Sequence, residues 1–326
     1  MKFIFTIDVE ADNQWLAPSP KTVENIEHLP RMLELCDEFG FKADCLISYE
    51  IAVSKRFRDL VEPYIDKRGT EIGAHLHPWS CPPFKPLAYN ASIHHMYPHE
   101  LTVETFSEKM QALTGAITDS FGARPISYRA GRWGFCADHI PVLLDLGYKV
   151  DCSVTPCMSW SVYLGDPSGS GGPDYRRAPN VPYYLSSKDI TKAGRSGLLE
   201  IPSTVVCKNR LAAGIFNSTG SRIIRSALAR LQLAPLWFNP MTVASGNIDI
   251  GDYLTKVYEI ARRQKLDYVQ LTTHSSELMP GGSPFWPSVD SIERLYDGLR
   301  RLFVHMSQDG CEGVTLSEFS GRYKAV

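Results

Sequence analysis

The sequence predicts an α/β fold in which helices join parallel strands, and it favours a (β/α) barrel over an open sheet. Short apolar runs alternate along the chain with segments whose apolar residues recur at helical spacing, the pattern of repeated β-α-β units. These units are regularly spaced. The 326 residues suit one hydrophobic core, so we expect a single domain over residues 1–326.

The first units show how each element is identified. Residues 2–8 are an apolar run of strand length, and the helical pattern over 22–39 ends just before Gly40. The next helical pattern also ends before a glycine, Gly69. The predicted strands are 2–8, 43–48, 71–76, 126–129, 148–152, 199–203, 268–273 and 313–316. The predicted helices are 22–39, 54–68, 100–121, 137–146, 220–231, 251–264 and 289–308.

Two long segments interrupt this alternation. Residues 77–99 are rich in proline, histidine and aromatic residues, and residues 153–198 contain the run Ser-Gly-Ser-Gly-Gly-Pro. Loops of this length in a compact domain are usually functional or disordered. Because both follow predicted strands, a barrel would place them on the face where its chemistry occurs.

Composition excludes several classes of protein. Hydrophobic residues make up 44% and charged residues 21%, and the formal net charge is -2. There is no basic stripe for nucleic acid and no apolar stretch near the ~20 residues of a membrane span. The apolar N-terminal run is too short for a signal peptide, so we expect a cytoplasmic protein. The eight cysteines form no C-x-x-C pair and are expected to be buried, reduced thiols.

The first polar site follows the first predicted strand. Asp8 and Glu10 are two residues apart, so an extended backbone sends both side chains to the same side. Two carboxylates this close repel each other unless a cation or a proton resolves the repulsion. One could then be a base and the other a metal ligand; the alternative is a helix cap or solvated loop acids.

A pair of histidines follows the third predicted strand. His75 and His77 are also two residues apart and would face the same way on an extended segment. Imidazole is the commonest side-chain ligand for transition metals. An H-x-H pair alone is weak evidence, but its position at a strand end near that of Asp8 and Glu10 favours a metal site.

Three further polar sites lie at or just after predicted strand ends. Arg129 could hold a carboxylate with two hydrogen bonds, whereas Arg132 is more typical of a salt bridge at the rim. Asp151 could orient a histidine or an arginine, or cap a helix. His274 could protonate a leaving amine, although a lone histidine is more often a hydrogen-bonded structural residue.

Together these segments resemble the polysaccharide deacetylase family, also called the NodB-homology family or carbohydrate esterase family four. The resembling segments, in chain order, are 6–10 (TIDVE), 71–79 (EIGAHLHPW), 128–132 (YRAGR), 148–156 (YKVDCSVTP) and 271–274 (LTTH). They cover most of the chain in the order expected of the family. The resemblance implies a distorted (β/α)7 barrel, similar to a TIM barrel.

The resemblance also implies metal-assisted hydrolysis of an amide. Asp8 would be the general base on a water molecule, and His274 the general acid on the departing amine. Arg129 would position Asp8, and Asp151 would be a tuning partner of His274. Glu10, His75 and His77 would be the metal ligands. The cofactor implied is a divalent metal, zinc in the first instance.

One departure from the family pattern concerns the metal site. Trp79 occupies the place where the family usually has its second histidine. His77 could replace that ligand from a different angle, and so could a histidine of the following loop. The loop candidates are His94, His95 and His99. The third alternative is a metal-free site, as in the allantoinase-like branch of the superfamily.

Aromatic and basic side chains near these motifs suggest how a carbohydrate would bind. We expect Trp79, Arg132 and Trp133 to contact the substrate. The two long loops supply further rings that could stack on sugars or simply pack the loops: Trp160, Tyr163, Tyr183 and Tyr184.

Three functions remain open at this point. The leading hypothesis is a hydrolase that removes an acyl group, in particular acetyl, from the nitrogen of an amino sugar in a glycan or glycolipid precursor. The second is a metal-independent amidohydrolase acting on a small cyclic amide or ureide. The third is a non-catalytic barrel that binds glycans, which the presence of Asp8, Arg129 and His274 disfavours.

Overall fold

A curled, mostly parallel sheet forms the centre of the molecule. The computed structural model describes residues 1–12, 14, 22–84, 96–207, 238–244 and 249–323. The strands are β1 Lys2–Val9, β2 Ala43–Ile47, β3 Glu71–Leu76, β4 Ser127–Ala130, β5 Val150–Asp151, β6 Tyr183–Tyr184, β7 Leu199–Glu200, β8 Val205–Cys207, β9 Phe238–Pro240, β10 Tyr268–His274 and β11 Glu312–Gly313. The order in the sheet is β10-β1-β2-β3-β4-β5-β7-β6, with β11 also paired to β1 and only β6 antiparallel to its neighbour.

Helices cover the outside of this sheet. The α-helices are α1 Leu29–Glu38, α2 Tyr49–Ala52, α3 Lys55–Arg68, α4 Val103–Phe121, α5 Ile140–Asp145, α6 Ile250–Arg263, α7 Val289–Gln308 and α8 Leu316–Arg322. Ser54 caps the N-terminus of α3 by accepting a hydrogen bond from the Phe57 amide, and Gly69 ends it in the left-handed conformation that glycine favours. Within the described residues, the helices are too short or too polar to cross a bilayer.

Alternation along the strands separates an apolar outer layer from an interior that contains both apolar and polar side chains. In β1, Phe3, Phe5 and Ile7 belong to the large cluster that packs under the helices, whereas Ile4 belongs to a second cluster inside the curled sheet. Asp8 follows the same alternation as Ile4 and therefore points inward. Side chains alternate in the same way along the other central strands. The polar residues predicted at strand ends therefore converge inside the curled sheet.

The sheet is an incomplete barrel, in agreement with the predicted distorted barrel. The gap lies between β10 and the chain that continues from β7, a region we call the seam. There the Gln270 amide donates a hydrogen bond to the Thr204 hydroxyl over 2.8 Å, and Thr242 forms an isolated bridge with Thr272. Single contacts replace a regular ladder at the seam, which explains the distortion.

The secondary structure near the C-terminal end differs from the one predicted from the sequence. Residues 313–316 were expected to be a strand, but β11 is only two residues long and α8 begins at Leu316. Thr315 and Glu318 form a capping box, in which the Glu318 amide donates to Thr315 Oγ1 over 3.3 Å. Leu316 and Phe319 then pack into the inner cluster, so α8 fills the end of the barrel at which the strands begin.

Other differences between the prediction and the structure concern the lengths of strands and helices. The predicted strands 148–152 and 199–203 are reduced to two-residue strands, β5 and β7, because the sheet loses regular pairing toward the seam. The predicted helix 22–39 begins as a 3-10 helix, Glu24–His28, before α1. The predicted helix 220–231 lies outside the described residues.

Two acids, the buried Asp44 and the half-buried Glu71, hold the first turn of α8. The Leu316 amide donates to Asp44 Oδ1 and the Ser317 amide to Glu71 Oε2, both over 2.9 Å. These acids are register partners on β2 and β3. Burial, reinforced by the neighbouring Glu71 carboxylate, raises the pKa of Asp44 well above its ordinary value.

The raised pKa of Asp44 predicts how the free energy of unfolding changes with pH. Above about pH 4, where unfolded Asp44 ionises, the folded state keeps a proton that the unfolded state loses, so stability falls as pH rises. Asp44→Asn removes this term and keeps an oxygen for the Leu316 amide. Urea unfolding from pH 4.5 to 7 should show wild type losing free energy of unfolding relative to the variant. Parallel curves for the two proteins would contradict this assignment.

Candidate active site

A cavity of about 770 Å³ lies at the carboxyl ends of the strands. This is the end at which barrel enzymes place their chemistry. The predicted site residues that line it are Asp8, Glu10, His75, His77, Trp79, Arg132, Trp133 and His274. Arg129 and Asp151 lie behind this surface, fully buried.

Arg129 holds Asp8 in place from behind. Its Nη1 donates to Asp8 Oδ1 over 2.6 Å, Nη2 to the Thr6 hydroxyl over 2.9 Å, and Nε to the Cys152 carbonyl over 3.2 Å. Burial alone would raise the pKa of Asp8, but the charges of Arg129, His75 and His274 outweigh it and lower that pKa. Asp8 is therefore an ionised carboxylate at neutral pH.

His274 lies beside Asp8 because the two residues are register partners in the β1–β10 pair. The distance from His274 Nε2 to Asp8 Oδ2 is 3.9 Å. On the other side of the ring, Nδ1 lies 3.1 Å from Glu277 Oε2, which also accepts the His274 backbone amide over 2.8 Å. Burial lowers the pKa of His274, but Glu277 and the two further carboxylates, Glu10 and Asp8, raise it to about 9. The ring is thus protonated at neutral pH.

Glu277 was not identified from the sequence. It lies on the 3-10 helix Ser275–Leu278 that directly follows β10, three residues after His274. A His-x-x-Glu spacing at the start of a helix resembles a capping box, which was the available signal. The carboxylate that contacts His274 is therefore Glu277, and the expectation that Asp151 tunes this histidine is corrected.

Asp151 instead pairs with a second buried acid. Asp151 and Glu200 are register partners on β5 and β7, and both are fully buried. Asp151 Oδ1 accepts a hydrogen bond from Ser153 Oγ over 2.6 Å, and Glu200 Oε1 accepts the Val154 amide over 3.0 Å. Burial raises the pKa of both groups, most strongly for Glu200, whose proton lets it donate to Asp151. This pair lies near the Arg129 charge.

Glu10, His75 and His77 bring three donor atoms together. His77 Nε2 is 2.5 Å and His75 Nε2 is 3.5 Å from Glu10 Oε2, and the two Nε2 atoms are 3.1 Å apart. His75 Nδ1 faces the Arg129 carbonyl oxygen at 3.2 Å, and a carbonyl can only accept. Nδ1 therefore carries the proton, which leaves the Nε2 lone pair directed at this cluster.

This donor set fits a divalent metal. Two imidazole nitrogens and one carboxylate are a set that catalytic zinc sites use, with a further position left for water or substrate. All three side chains are buried, and their donor atoms lie within 4.8 Å of one another. Trp79, at the position where the family usually has its second histidine, lies beside this set, with its ring 4.4 Å from the His77 ring. His99 instead stacks on Tyr97 at 5.1 Å, and His94 and His95 lie outside the described residues.

A tight turn after β4 supports one side of the cluster. An added Cβ on Gly131 would lie 2.5 Å from His77 Nδ1, so only glycine allows this approach. Arg132 and Trp133 follow with φ values of 54° and 62°, a left-handed conformation rare for such residues. Strain of this kind is common where a turn must direct side chains into a functional site.

The turn directs its two side chains differently. The Arg132 guanidinium lies 3.9 Å above the Tyr97 ring, and its Nη2 donates to the Tyr97 hydroxyl over 3.1 Å. The Trp133 ring lies 5.0 Å from the Arg129 guanidinium. Both residues line the cavity, so Arg132 is not confined to a salt bridge at the rim.

The long loops supply some, but not all, of the expected aromatic rings. Trp160 and Tyr163 line the cavity together with Trp79. Tyr183 and Tyr184 do not: Tyr183 is buried with its hydroxyl donating to the Ile190 carbonyl, and Tyr184 packs 6.0 Å from the Tyr323 ring. These two were expected as sugar-stacking candidates, but β6 directs them to packing roles.

No family model and no curated protein matches this sequence. Solved structures do match. A structure described as a polysaccharide deacetylase from Mycobacterium smegmatis is 15% identical, with 98% of this chain and 88% of that one covered and a TM-score of 0.55. This chain has the polysaccharide deacetylase fold.

Two further structures share this fold. One, described as a glycoside hydrolase/deacetylase from Parabacteroides distasonis, is 14% identical, with a TM-score of 0.62 and coverage of 99% of this chain and 72% of the other. The allantoinase PuuE is also 14% identical, with a TM-score of 0.55 and coverage of 98% and 88%. The likeness thus spans nearly the whole chain.

The contact between His274 and Glu277 gives a prediction. Glu277→Gln keeps a hydrogen-bond acceptor for Nδ1 but removes the charge that raises the histidine pKa. We expect the pKa of His274 to fall from about 9 toward the ordinary value of about 6.5. An NMR titration of the imidazole protons, with chelator present so that no metal interferes, measures it.

The matched control is Glu62→Gln on the exposed face of α3. It removes the same charge at a distance and should leave the His274 titration unchanged. If both variants titrate like wild type, Glu277 is not the source of the raised pKa.

Proposed function

We propose that this protein is a hydrolase that removes an acyl group, acetyl in the leading case, from the amide nitrogen of an amino sugar. One observation carries the proposal. An ionised carboxylate, Asp8, and a protonated imidazole, His274, lie side by side in the cavity that also contains the cluster Glu10, His75 and His77. Metal-assisted amide hydrolysis requires a base, an acid and a set of metal ligands in one cavity.

Glu10, His75 and His77 are the proposed ligands of a divalent metal, with zinc as the proposed ion. When bound, the metal would polarise the acyl carbonyl and stabilise the negative charge that develops on its oxygen. Arg129 contributes through its main chain, because its carbonyl accepts the His75 Nδ1 proton and fixes the orientation of that ring.

Asp8 and His274 divide the proton transfers between them. Asp8 Oδ1 is occupied by Arg129, so Oδ2 is the oxygen that accepts a proton from the attacking water. His274 holds its Nδ1 proton toward Glu277 and donates its Nε2 proton to the nitrogen as the carbon–nitrogen bond breaks. The products are a free amine and a carboxylic acid, acetic acid for an acetyl substrate.

The walls of the cavity suit a carbohydrate. Trp79, Trp133 and Trp160 present aromatic faces, on which sugar rings can stack, and Arg132 presents hydrogen-bond donors. Two of the structures with this fold are described as deacetylases, which agrees with the proposal but is a likeness of fold.

A second candidate is a metal-independent amidohydrolase acting on a small cyclic amide or ureide. Trp79 favours it, because its ring narrows the cavity beside His77 where the family usually has a histidine. The allantoinase PuuE has the same fold. This candidate predicts full activity in the presence of a strong chelator, whereas the leading proposal predicts its loss and recovery on adding zinc.

The role of Asp8 is tested by Asp8→Asn. The amide keeps the shape of the side chain but cannot accept the proton, so we expect acetate release from N-acetylglucosamine oligomers to fall roughly 10²–10⁴-fold. Free acetate is measured by an enzyme-coupled assay, and thermal unfolding of each protein checks that the change is not a loss of fold.

Asp66→Asn provides the control, since Asp66 is exposed on α3 and does not line the cavity. It should release acetate at the wild-type rate. Equal rates from Asp8→Asn and wild type would overturn the assignment of Asp8 as the base.

The metal site is tested without altering a ligand. Gly131→Ala places a methyl group against His77, so we expect zinc affinity to fall about 10–100-fold, the usual cost of disturbing the surroundings of a ligand. Competition with a chromophoric chelator measures the affinity. Gly115→Ala is the matched control, because an added Cβ there has no atom within 4 Å. Identical affinities for the two variants would contradict the arrangement.

A further inference from the structure

Two of the eight cysteines lie side by side. All eight are reduced thiols, and Cys36, Cys45, Cys81 and Cys152 are buried as expected. Cys157 and Cys207 are only half-buried, and their sulfur atoms are 3.6 Å apart. They are separated by 50 residues in the chain, so the fold alone brings them together.

The two cysteines lie in different backbone surroundings, one on a strand and one in a loop. Cys207 ends β8, which pairs with β9, and its carbonyl accepts a hydrogen bond from the Gln264 side chain over 3.2 Å. Cys157 lies in a turn closed by a hydrogen bond from the Met158 amide to the Thr155 carbonyl over 3.2 Å. One sulfur is thus on an anchored strand and the other on a loop. A disulfide has a sulfur–sulfur distance of about 2.05 Å, so the sulfurs must approach by roughly 1.5 Å.

The pair is also next to the cavity. Cys157 and Cys207 pack with Met158 around Val205 in a small apolar cluster. Met158 and Val205 both line the cavity, as does Trp160 three residues after Cys157. A bond between the two sulfurs would therefore join the loop that forms one wall of the cavity to strand β8.

We propose that Cys157 and Cys207 are a modification site: a thiol pair that forms a reversible disulfide with a low-molecular-weight disulfide as oxidant. One thiolate attacks a sulfur of the oxidant and releases one small thiol, giving a mixed disulfide. The second thiolate attacks the protein sulfur of that mixed disulfide and releases the second small thiol. The protein loses two electrons and two protons, and the oxidant is reduced to two thiols. This inference does not depend on the proposed hydrolase activity.

The test uses the full chain in glutathione buffers of increasing oxidised fraction. Free thiols are then alkylated, and the protein is digested without reduction and mapped by mass spectrometry. We expect a linked peptide containing Cys157 and Cys207, lost on adding dithiothreitol, and a higher melting temperature for the oxidised protein because the cross-link restricts the unfolded chain. Separate alkylation of both cysteines at every ratio, or glutathione adducts alone, would overturn the proposal.

Variants make the assignment specific. Cys207→Ser should abolish both the linked peptide and the rise in melting temperature. Cys136→Ser, which removes another half-buried cysteine, should leave both unchanged. The wild-type peptide map decides the matter even if Cys157→Ser, at a residue with φ of 66°, folds poorly. A linkage that involves Cys136 or Cys311 instead would also count against this pair.

Discussion

The site depends on one fully buried cation. The Arg129 guanidinium has no exposed surface, and its three hydrogen bonds go to residues of β1 and to the chain after β5. A buried charge is tolerated only when it is paired, and removing one partner of such a pair typically costs about 3–5 kcal/mol. The same residue serves both halves of the site. Its side chain holds Asp8, and its main-chain carbonyl orients His75. The proposed base and the proposed metal-ligand cluster therefore share one support.

Charge within the barrel is balanced locally. Asp8 and Glu10, which would repel each other alone, have Arg129 and the histidines between and behind them. Deeper in the interior, Asp151 pairs with Glu200, and the buried Asp44 lies beside the half-buried Glu71. There the balance is reached by keeping a proton rather than by adding a cation, since burial makes two adjacent negative charges unfavourable. The end that opens to the cavity instead carries the ionised pair Asp8 and His274.

Much of this could be predicted from the sequence, because strand alternation is a local property. Alternation predicted that Asp8 and Glu10 face the same way and that His75 and His77 do too. The position of His274 at a strand end predicted that it lies on the same face of the barrel. Glu277 and the partner of Asp151 were missed because they depend on which strands become neighbours and on a short helix after β10. The helix α8 was missed because Val314 and Leu316 form an apolar run like a strand, and only the Thr315–Glu318 capping box indicates otherwise. Tertiary contacts, rather than the local preference of the sequence for helix or strand, determine these three features.

The pairing of β1 with β10 has a consequence for the timing of folding in the cell. Asp8 emerges from the ribosome with the first strand, but its register partner His274 follows 266 residues later. At about 5–20 residues per second, roughly 13–50 seconds separate the two. Throughout that interval one side of a strand destined for the centre of the sheet has no neighbour. A nascent chain in this state is exposed to aggregation, so synthesis of this protein should depend on chaperones that shelter the N-terminal strands until the last ones arrive.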